Sequence, residues 1–370
     1  MNSYWIDNLY EEIRIYLDSL KSKDNEYHFF PSLNGATKVG KKLSLGFSCY
    51  ALKLDFIIKR SPDYKDDNYD GWSSYLNSFQ TTHIDFPVNS YIDPNYLHYS
   101  KKNNFQKMPK QIAKSTLNLI GFQKYETKND YIHKSIRAET KQAISTLYQI
   151  GKKNDQEYLD FPRERKELES FLNSYNWDKP WDAGAQFSGL CVFSSTQLNK
   201  NNPTQKFLFS YISKVVNPDN GLYYSNKKPS SRESINGAMK VITGLDWLEA
   251  PIHYPEKLID YCLANNPEQS GCDLVDYIYV LFRCSNQTNY KKKEIIENLT
   301  SLLPQIKRHH EPGKGFSYFI GKSQTHYYGL QVTRGLNESD IHGTLLFMWA
   351  LSMIFNLSEN KRFQLNVIKP

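Results

Sequence analysis

Apolar residues recur at helical spacing through most of this chain. Over residues 3–22, Trp5, Ile6, Leu9, Ile13, Tyr16, Leu17 and Leu20 share one face, which predicts an amphipathic helix. Helices are also predicted over 134–151, where Ala138, Ile144, Leu147 and Ile150 are apolar, and over 164–175. From Trp177 the pattern becomes a rhythm of helix pairs: 181–194, 205–216, 234–248, 255–264, 274–284, 293–309 and 341–357. Some segments are apolar on one face, as in 205–216. Others, such as 181–194 and 341–357, are apolar nearly all round, which predicts helices covered on every side.

The region before 130 is less regular. Phe29-Phe-Pro31 and Asn34-Gly35 read as turns, while residues 44–58 fit either helix or strand. Residues 61–78 are rich in Asp, Tyr and Ser, with Tyr69-Asp-Gly-Trp72 as a turn signal. Residues 81–111 carry Pro87, Pro94 and Pro109 and read as an irregular wrap.

Three loops resemble one another: Asn217-Pro-Asp-Asn-Gly-Leu-Tyr-Tyr224, Asn266-Pro-Glu-Gln-Ser-Gly271 and Glu311-Pro-Gly-Lys-Gly-Phe-Ser-Tyr318. Each places Pro just beyond a helix and Gly before the next element, the mark of a degenerate repeat of helical hairpins. Alternating amphipathic and all-apolar helices predict a mainly α protein, an α/α toroid. The expected division is 1–130, an N-terminal helix with an irregular segment, and 131–370, the toroid.

Gly271-Cys-Asp-Leu-Val-Asp-Tyr-Ile-Tyr279 and Ser339-Asp-Ile-His-Gly343 each open an inner helix. With the Gly-aromatic loops, they resemble the toroid of the terpenoid cyclase/protein prenyltransferase superfamily over roughly the C-terminal half. That resemblance implies an α/α toroid and an isoprenoid substrate. It also implies a zinc site in which Asp276 and His342 match two ligands. The third ligand, a Cys, is Ile278 here, and no Asp-x-Asp-Asp cluster is present. A hydrocarbon in place of a soft thiolate weakens zinc chemistry, so the resemblance supports the fold more than the reaction.

Composition narrows the function classes. The net charge is +7, but Lys and Arg are spread along the 370 residues without an arginine-rich segment or a zinc module, which argues against nucleic acid. The five cysteines form no CxxC pair, which fits buried thiols in a reducing compartment. No basic and apolar leader opens the chain, and residues 341–357 fall short of a comfortable membrane span. The expectation is a cytoplasmic protein without a transmembrane segment. Nothing in the pattern specifies an oligomeric state.

In a toroid, inner helices run parallel and their N-termini converge on one mouth. Four such starts carry polar groups: Asp182 with Gln186, Ser234 with Asn236, Asp273 with Asp276, and Asp340 with His342. Free N–H groups there favour an anion. Lys322, His326, Tyr327, Tyr328 and Arg334 lie in the loop expected to cover this mouth. Asp340, His342, His326 and Tyr328 are the candidate catalytic groups, since a His with a carboxylate partner works as a base near neutral pH and a Tyr exchanges a proton nearby. Asp182, Gln186, Asn236, Asp273, Asp276, Lys322 and Arg334 are the candidate substrate-binding groups. Asp182, Ser234, Asp273 and Asp340 are equally good helix caps. No metal site is assigned, although Asp276, Asp340 and His342 offer oxygen and imidazole ligands suited to a divalent metal. The set suits a small-molecule, isoprenoid or lipid-linked substrate. It also suits carbohydrate chemistry (a lyase, epimerase or hydrolase), or a non-catalytic toroid binding peptide or glycan. The pair Trp177 and Trp181, around a Pro at a helix start, could stack on a sugar or clamp a hairpin.

Overall fold

The computed structural model describes residues 4–59, 69–102, 127–267, 271–358 and 365–370. They are mainly helical. In chain order the elements begin with α1 (Tyr4–Asp7), α2 (Leu9–Leu20), α3 (Leu45–Ile58), α4 (Tyr69–Asn77), β1 (Gln80–Thr81), β2 (Ser90–Tyr91) and α5 (Pro94–Lys102). Then come α6 (Lys128–Gln149), α7 (Arg165–Asn173), α8 (Pro180–Gln197), α9 (Pro203–Val215), α10 (Ser231–Trp247), α11 (Pro255–Leu263) and α12 (Gly271–Ser285). The chain continues with α13 (Lys292–Ser301), α14 (Leu303–Lys307), β3 (His310–Glu311), β4 (Gly315–Phe316), β5 (His326–Tyr327), β6 (Leu330–Gln331) and α15 (Ile341–Leu357). The strands form three antiparallel two-stranded ribbons: β1 with β2, β3 with β4, and β5 with β6.

Six helices close a ring. α3 packs on α6, α6 on α8, α8 on α10, α10 on α12, α12 on α15, and α15 returns to α3. α3 and α15 have little polar face, with nearly every residue buried, whereas α6 keeps exposed polar residues such as Asp130 in its first turn. Outside them lie amphipathic helices such as α2, which buries only Leu9, Ile13, Tyr16, Leu17 and Leu20, and α9, which buries Thr204, Leu208 and Ile212. An inner helix touches two ring neighbours and an outer helix. It therefore has no side on which water could hydrate a polar stripe.

Several elements differ from the expectation. Residues 44–58 are helix, and they supply one of the six inner staves, so the ring begins well before residue 131. The Tyr69–Trp72 turn signal opens helix α4, because Trp72 and Leu76 are buried on one helical face. Pro94 starts helix α5 within the stretch expected to be irregular, at the first-turn position where the missing N–H costs nothing. Pro109 lies outside the described residues. The helix expected over 293–309 is two, α13 and α14, with Pro304 in the first turn of the second. Among the described residues no helix is long and apolar enough to cross a membrane.

The α8–α10 pair is the tightest contact. A Cβ at Gly237 would lie 2.5 Å from Cβ of Pro180, so only glycine lets the two helix starts meet. Cross-links between helix starts gather the N-termini at one mouth, and Lys134 of α6 joins them by pairing with Asp182 of α8 at 3.3 Å. Trp181 N donates to Glu233 at 3.0 Å, Asn236 donates to Asp273 at 2.6 Å, and Tyr50 stacks on His342. The opposite end carries the C-termini, where Arg283 pairs with Asp246 at 2.6 Å. Leu365–Pro370 crosses that end. Asn366 N donates to Ile57 O at 3.0 Å, Lys369 N to Gln149 Oε1 at 2.7 Å, and Trp247 Nε1 to Pro370 O at 2.8 Å. One segment thus ties the ends of α3, α6 and α10 together, with Ile368 buried beneath it.

Candidate functional site

The mouth is built around His342, in the first turn of α15. Its ring lies between two tyrosines. Tyr50 of α3 stacks with centroids 4.7 Å apart and planes 9° from parallel, and Tyr318 lies 5.2 Å away on the loop before β5. Nδ1 is 2.7 Å from Gln324 Oε1. An amide oxygen only accepts, so Nδ1 carries the proton and Nε2 keeps its lone pair. Burial, reinforced by the Lys240 ammonium, pushes the imidazole down to about 3. It is a neutral histidine at any ordinary pH.

Gly343 makes this geometry possible. A Cβ there would lie 2.4 Å from Tyr318 N, so a side chain would push away the loop that carries Tyr318. Asp340 fixes the same loop. Its carboxylate accepts from Gly343 N at 2.8 Å, Tyr318 N at 2.8 Å and Gln324 N at 3.1 Å. It is 1% exposed. Asp340 therefore caps α15 and positions Tyr318 and Gln324; its oxygens are turned to backbone rather than to the lumen.

Asp276 occupies the other side. It stands one turn beyond Cys272, whose sulfur accepts from Tyr318 Oη at 2.8 Å. Within the described residues Asp276 has no hydrogen-bond partner. Burial raises its carboxyl to about 6, against the nearby Lys240 ammonium, which lowers it, and with Asp273, which raises it. Asp273 itself accepts from Asn236 at 2.6 Å and from Arg232 Nε at 3.0 Å. A second pair adjoins Tyr50. Tyr327 sets its ring edge-on to Tyr50 at 6.1 Å, and its hydroxyl donates to Glu139 of α6. Burial raises Glu139 to about 8, even though the Tyr327 hydrogen bond favours its ionised form.

The structure thus brings Asn236, Asp273, Asp276 and His342 to one place and leaves other candidates outside it. Tyr328 packs on Tyr327 at 4.5 Å and on Tyr96 at 6.3 Å. It sits at φ 42°, with Gly329 at φ 77°, in the tight turn between β5 and β6. His326, beside Tyr327 in the strand, points the opposite way because strand side chains alternate; it is exposed, with Thr325 Oγ1 at 3.0 Å. Lys322 is exposed. Arg334 is exposed too, its guanidinium donating to Asn34 O at 2.7 Å. Neither cation covers the mouth, because the loop turns outward to dock on the Asn34-Gly35 turn, which Glu338 holds through both backbone N–H groups. Asp182 is exposed and pairs with Lys134 at 3.3 Å. With Gln186 and Arg137 it lines a cavity of about 380 Å³ on the rim.

A neighbouring cavity of about 460 Å³ also includes Asp182 and is walled by Trp181, Lys179, Lys227 and Lys228. Trp181 is 53% exposed. At the position the prenyltransferase resemblance would give to a cysteine ligand, Ile278 is fully buried. With Asp340 committed to backbone, the set Asp276, Asp340 and His342 does not converge on a metal. No group of three or more His, Cys, Asp or Glu among the described residues is arranged to hold one.

Sequence reasoning missed Tyr50, Lys240 and Gln324 as members of this site; Glu139, with Arg137 in the segment 136–141, stands out in the sequence as a group that binds a loop or a substrate, with nothing to decide between the two. Lys240 carries only a weak signal, since its helix holds other charged residues, Arg232, Glu233 and Asp246. Tyr50 and Gln324 carry no such mark.

No family model matches this chain, and no curated protein matches it. Among solved structures, one described as a polysaccharide lyase is similar over 97% of this chain and 98% of its own, with 12% sequence identity and a TM-score of 0.46.

Proposed function

We propose that this toroid is an enzyme that moves a proton on a sugar ring of a glycan, with Asp276 as the acid-base group at the mouth and His342 as a neutral imidazole that orients the substrate. The carrying observation is the imidazole of His342, clamped between Tyr50 and Tyr318, with Nδ1 committed to Gln324 and Nε2 left as a lone-pair nitrogen. Such a group is a hydrogen-bond acceptor held in one orientation toward a substrate hydroxyl, and a tyrosine hydroxyl beside it is a proton donor to the departing oxygen. Asp276, poised at about 6, supplies the group that changes charge near neutral pH. Glycoside hydrolysis usually needs two free carboxylates facing one bond. Here Glu139 is engaged by Tyr327, which favours proton abstraction from carbon, the step shared by eliminative cleavage and epimerisation.

The surroundings favour a sugar. Trp181 offers an exposed ring on the rim, and the cavities beside it are lined by lysines and carboxylates. An isoprenoid tail entering the mouth would lay hydrocarbon against Asp276 and the nearby Lys240 ammonium, a costly exchange.

The test is a panel of polysaccharides and oligosaccharides incubated in deuterium oxide. Eliminative cleavage is read as an ultraviolet-absorbing unsaturated sugar, and epimerisation as deuterium gained at one ring carbon. We expect His342→Ala to lower the rate by about 10²-fold while the circular dichroism and melting transition stay close to wild type. Turnover of polyprenyl diphosphates but of no glycan, or full activity in His342→Ala, would sink this reading.

A further inference from the structure

The outer helices α7 and α9 pack on each other and on α8, and between them lies a cavity of about 1160 Å³, larger than either cavity on the rim. The sequence of α9 builds one wall. Thr204, Leu208 and Ile212 face the core, and the adjoining stripe of Lys206, Phe207, Ser210, Tyr211 and Lys214 lines the cavity at helical spacing. Arg165, Glu169 and Asn173 of α7 line it at the same spacing. Trp177 is also in the wall but only 4% exposed, so it clamps the hairpin instead of offering a free face. Its Nε1 donates to Tyr211 Oη at 3.2 Å, and Tyr211 Oη donates to Asn173 Oδ1 at 2.8 Å. A bonded chain from one wall to the other thus fixes the width of the groove.

Four cations, Arg163, Arg165, Lys206 and Lys214, line this cavity against two carboxylates, Glu164 and Glu169. All four are exposed, and among the described residues none forms a salt bridge. Like charges gathered in a concave wall focus their field on whatever enters it, which favours an anion. Asn173, Asn199 and Ser210 add amides and a hydroxyl suited to sugar hydroxyls. Single-stranded nucleic acid would need successive free ring faces for its bases. Here Phe207 already carries Arg165 over its ring at 5.9 Å, and Tyr211 is tilted 38° to Phe207 with its hydroxyl engaged.

The groove also continues toward the mouth. Tyr175 is in the wall of this cavity and of the 380 Å³ rim cavity, and Asp182 is in the wall of that one and of the 460 Å³ cavity beside Trp181. Cation and ring stay paired along the way, with Arg137 4.8 Å over Phe171 and Lys134 5.6 Å over Tyr175. With 13 residues, α9 offers a wall about 20 Å long, enough for several sugar rings of an extended chain.

We infer that the groove between α7 and α9 is a second, non-catalytic binding site for an acidic glycan, held by Arg165, Lys206 and Lys214 while the chain runs on past Tyr175 to the rim. The choice of a glycan as occupant rests on the function proposed for the mouth. The groove itself rests on its own walls and charge.

Binding is measurable without turnover. Isothermal titration calorimetry of the full chain with a defined oligogalacturonate, at fixed ionic strength, gives Kd; a maltooligosaccharide is the neutral control and an oligothymidylate the nucleic-acid control. We expect oligogalacturonate to bind more tightly than either control. Arg165→Gln and Lys206→Met should each weaken it about tenfold, the loss of one charge-assisted contact. Both side chains are exposed, so the variants should remain folded. Lys293→Met, on α13 with a side chain 92% exposed, should leave Kd unchanged. Equal affinity in wild type and in both groove variants, or no binding of oligogalacturonate, overturns the site. Tighter binding of oligothymidylate through the same two side chains overturns the glycan as occupant. Groove-dependent binding without turnover of any glycan leaves the groove standing and removes the catalytic proposal alone.

Discussion

At the residue scale, the site divides its carboxylates between structure and chemistry by what their oxygens touch. Asp340 meets three backbone N–H groups and holds the loop. Asp276 meets no hydrogen-bond donor within the described residues and is left to titrate. Glu139 is a third case. Burial raises it from the ordinary 4.5 to about 8, so the folded chain holds its proton more tightly than the unfolded chain does. Its contribution to stability is complete below the unfolded value and is lost as pH rises through the folded one, over the window from 4.5 to about 8. Glu139→Gln keeps an acceptor for Tyr327 and cannot ionise. Asp276 and Asp340, each raised to about 6, still titrate in that window, so we expect the variant's urea midpoint to fall less than the wild type's and to gain on it toward the alkaline side. Parallel curves would mean that Glu139 is not held up by burial.

Elements set the distances that these residues need. α8 and α10 approach until Gly237 meets Pro180, and that contact sets Asn236 and Lys240 against α12 and the lumen. Gly237→Ala should cost about 1–3 kcal/mol, since a methyl would overlap a proline that cannot move aside. Gly189, on α8, has open space where a Cβ would go, its nearest neighbour being Phe193 at 4.0 Å. Gly189→Ala should therefore stabilise by up to about 1 kcal/mol through helix propensity alone. Chemical denaturation of the pair checks both. Shifts of opposite sign from wild type, the loss at Gly237 the larger, support the close approach, and two stabilised variants would refute it.

On the scale of the whole molecule, ring closure makes one cooperative body of segments far apart in sequence. α3 and α15 are neighbours although nearly three hundred residues separate them, and Leu365–Pro370 reaches the ends of three staves. Removing residues 365–370 takes away the buried Ile368 and leaves Ile57 O, Gln149 Oε1 and Trp247 Nε1 without these partners. We expect a loss of at least about 2 kcal/mol, seen as a single transition shifted to lower temperature. A local loss, with the main transition unmoved, would mean that the ring is held without this segment.

How far the sequence reads on its own depends on which forces act locally. Amphipathic and all-apolar helices after residue 177, their Pro and Gly boundaries and the toroid class follow from periodicity, because burial of one face or of every face leaves a mark at each turn. The start of α15 and the polar groups at other helix starts were visible for the same reason. Residues 44–58 were ambiguous, since a fully buried helix and a buried strand are both unbroken apolar runs. The 69–72 turn signal was outweighed by Trp72 and Leu76 packing into the core. What only tertiary structure decided is the partnership of groups. Asp340 became a cap because a loop brought two further N–H groups to it. His326 fell outside because strand alternation turned Tyr327 inward. Sequence carries each residue's chemistry and each segment's exposed or buried face. The fold alone sets which charges share a cavity, because that depends on contacts between segments that no local pattern encodes.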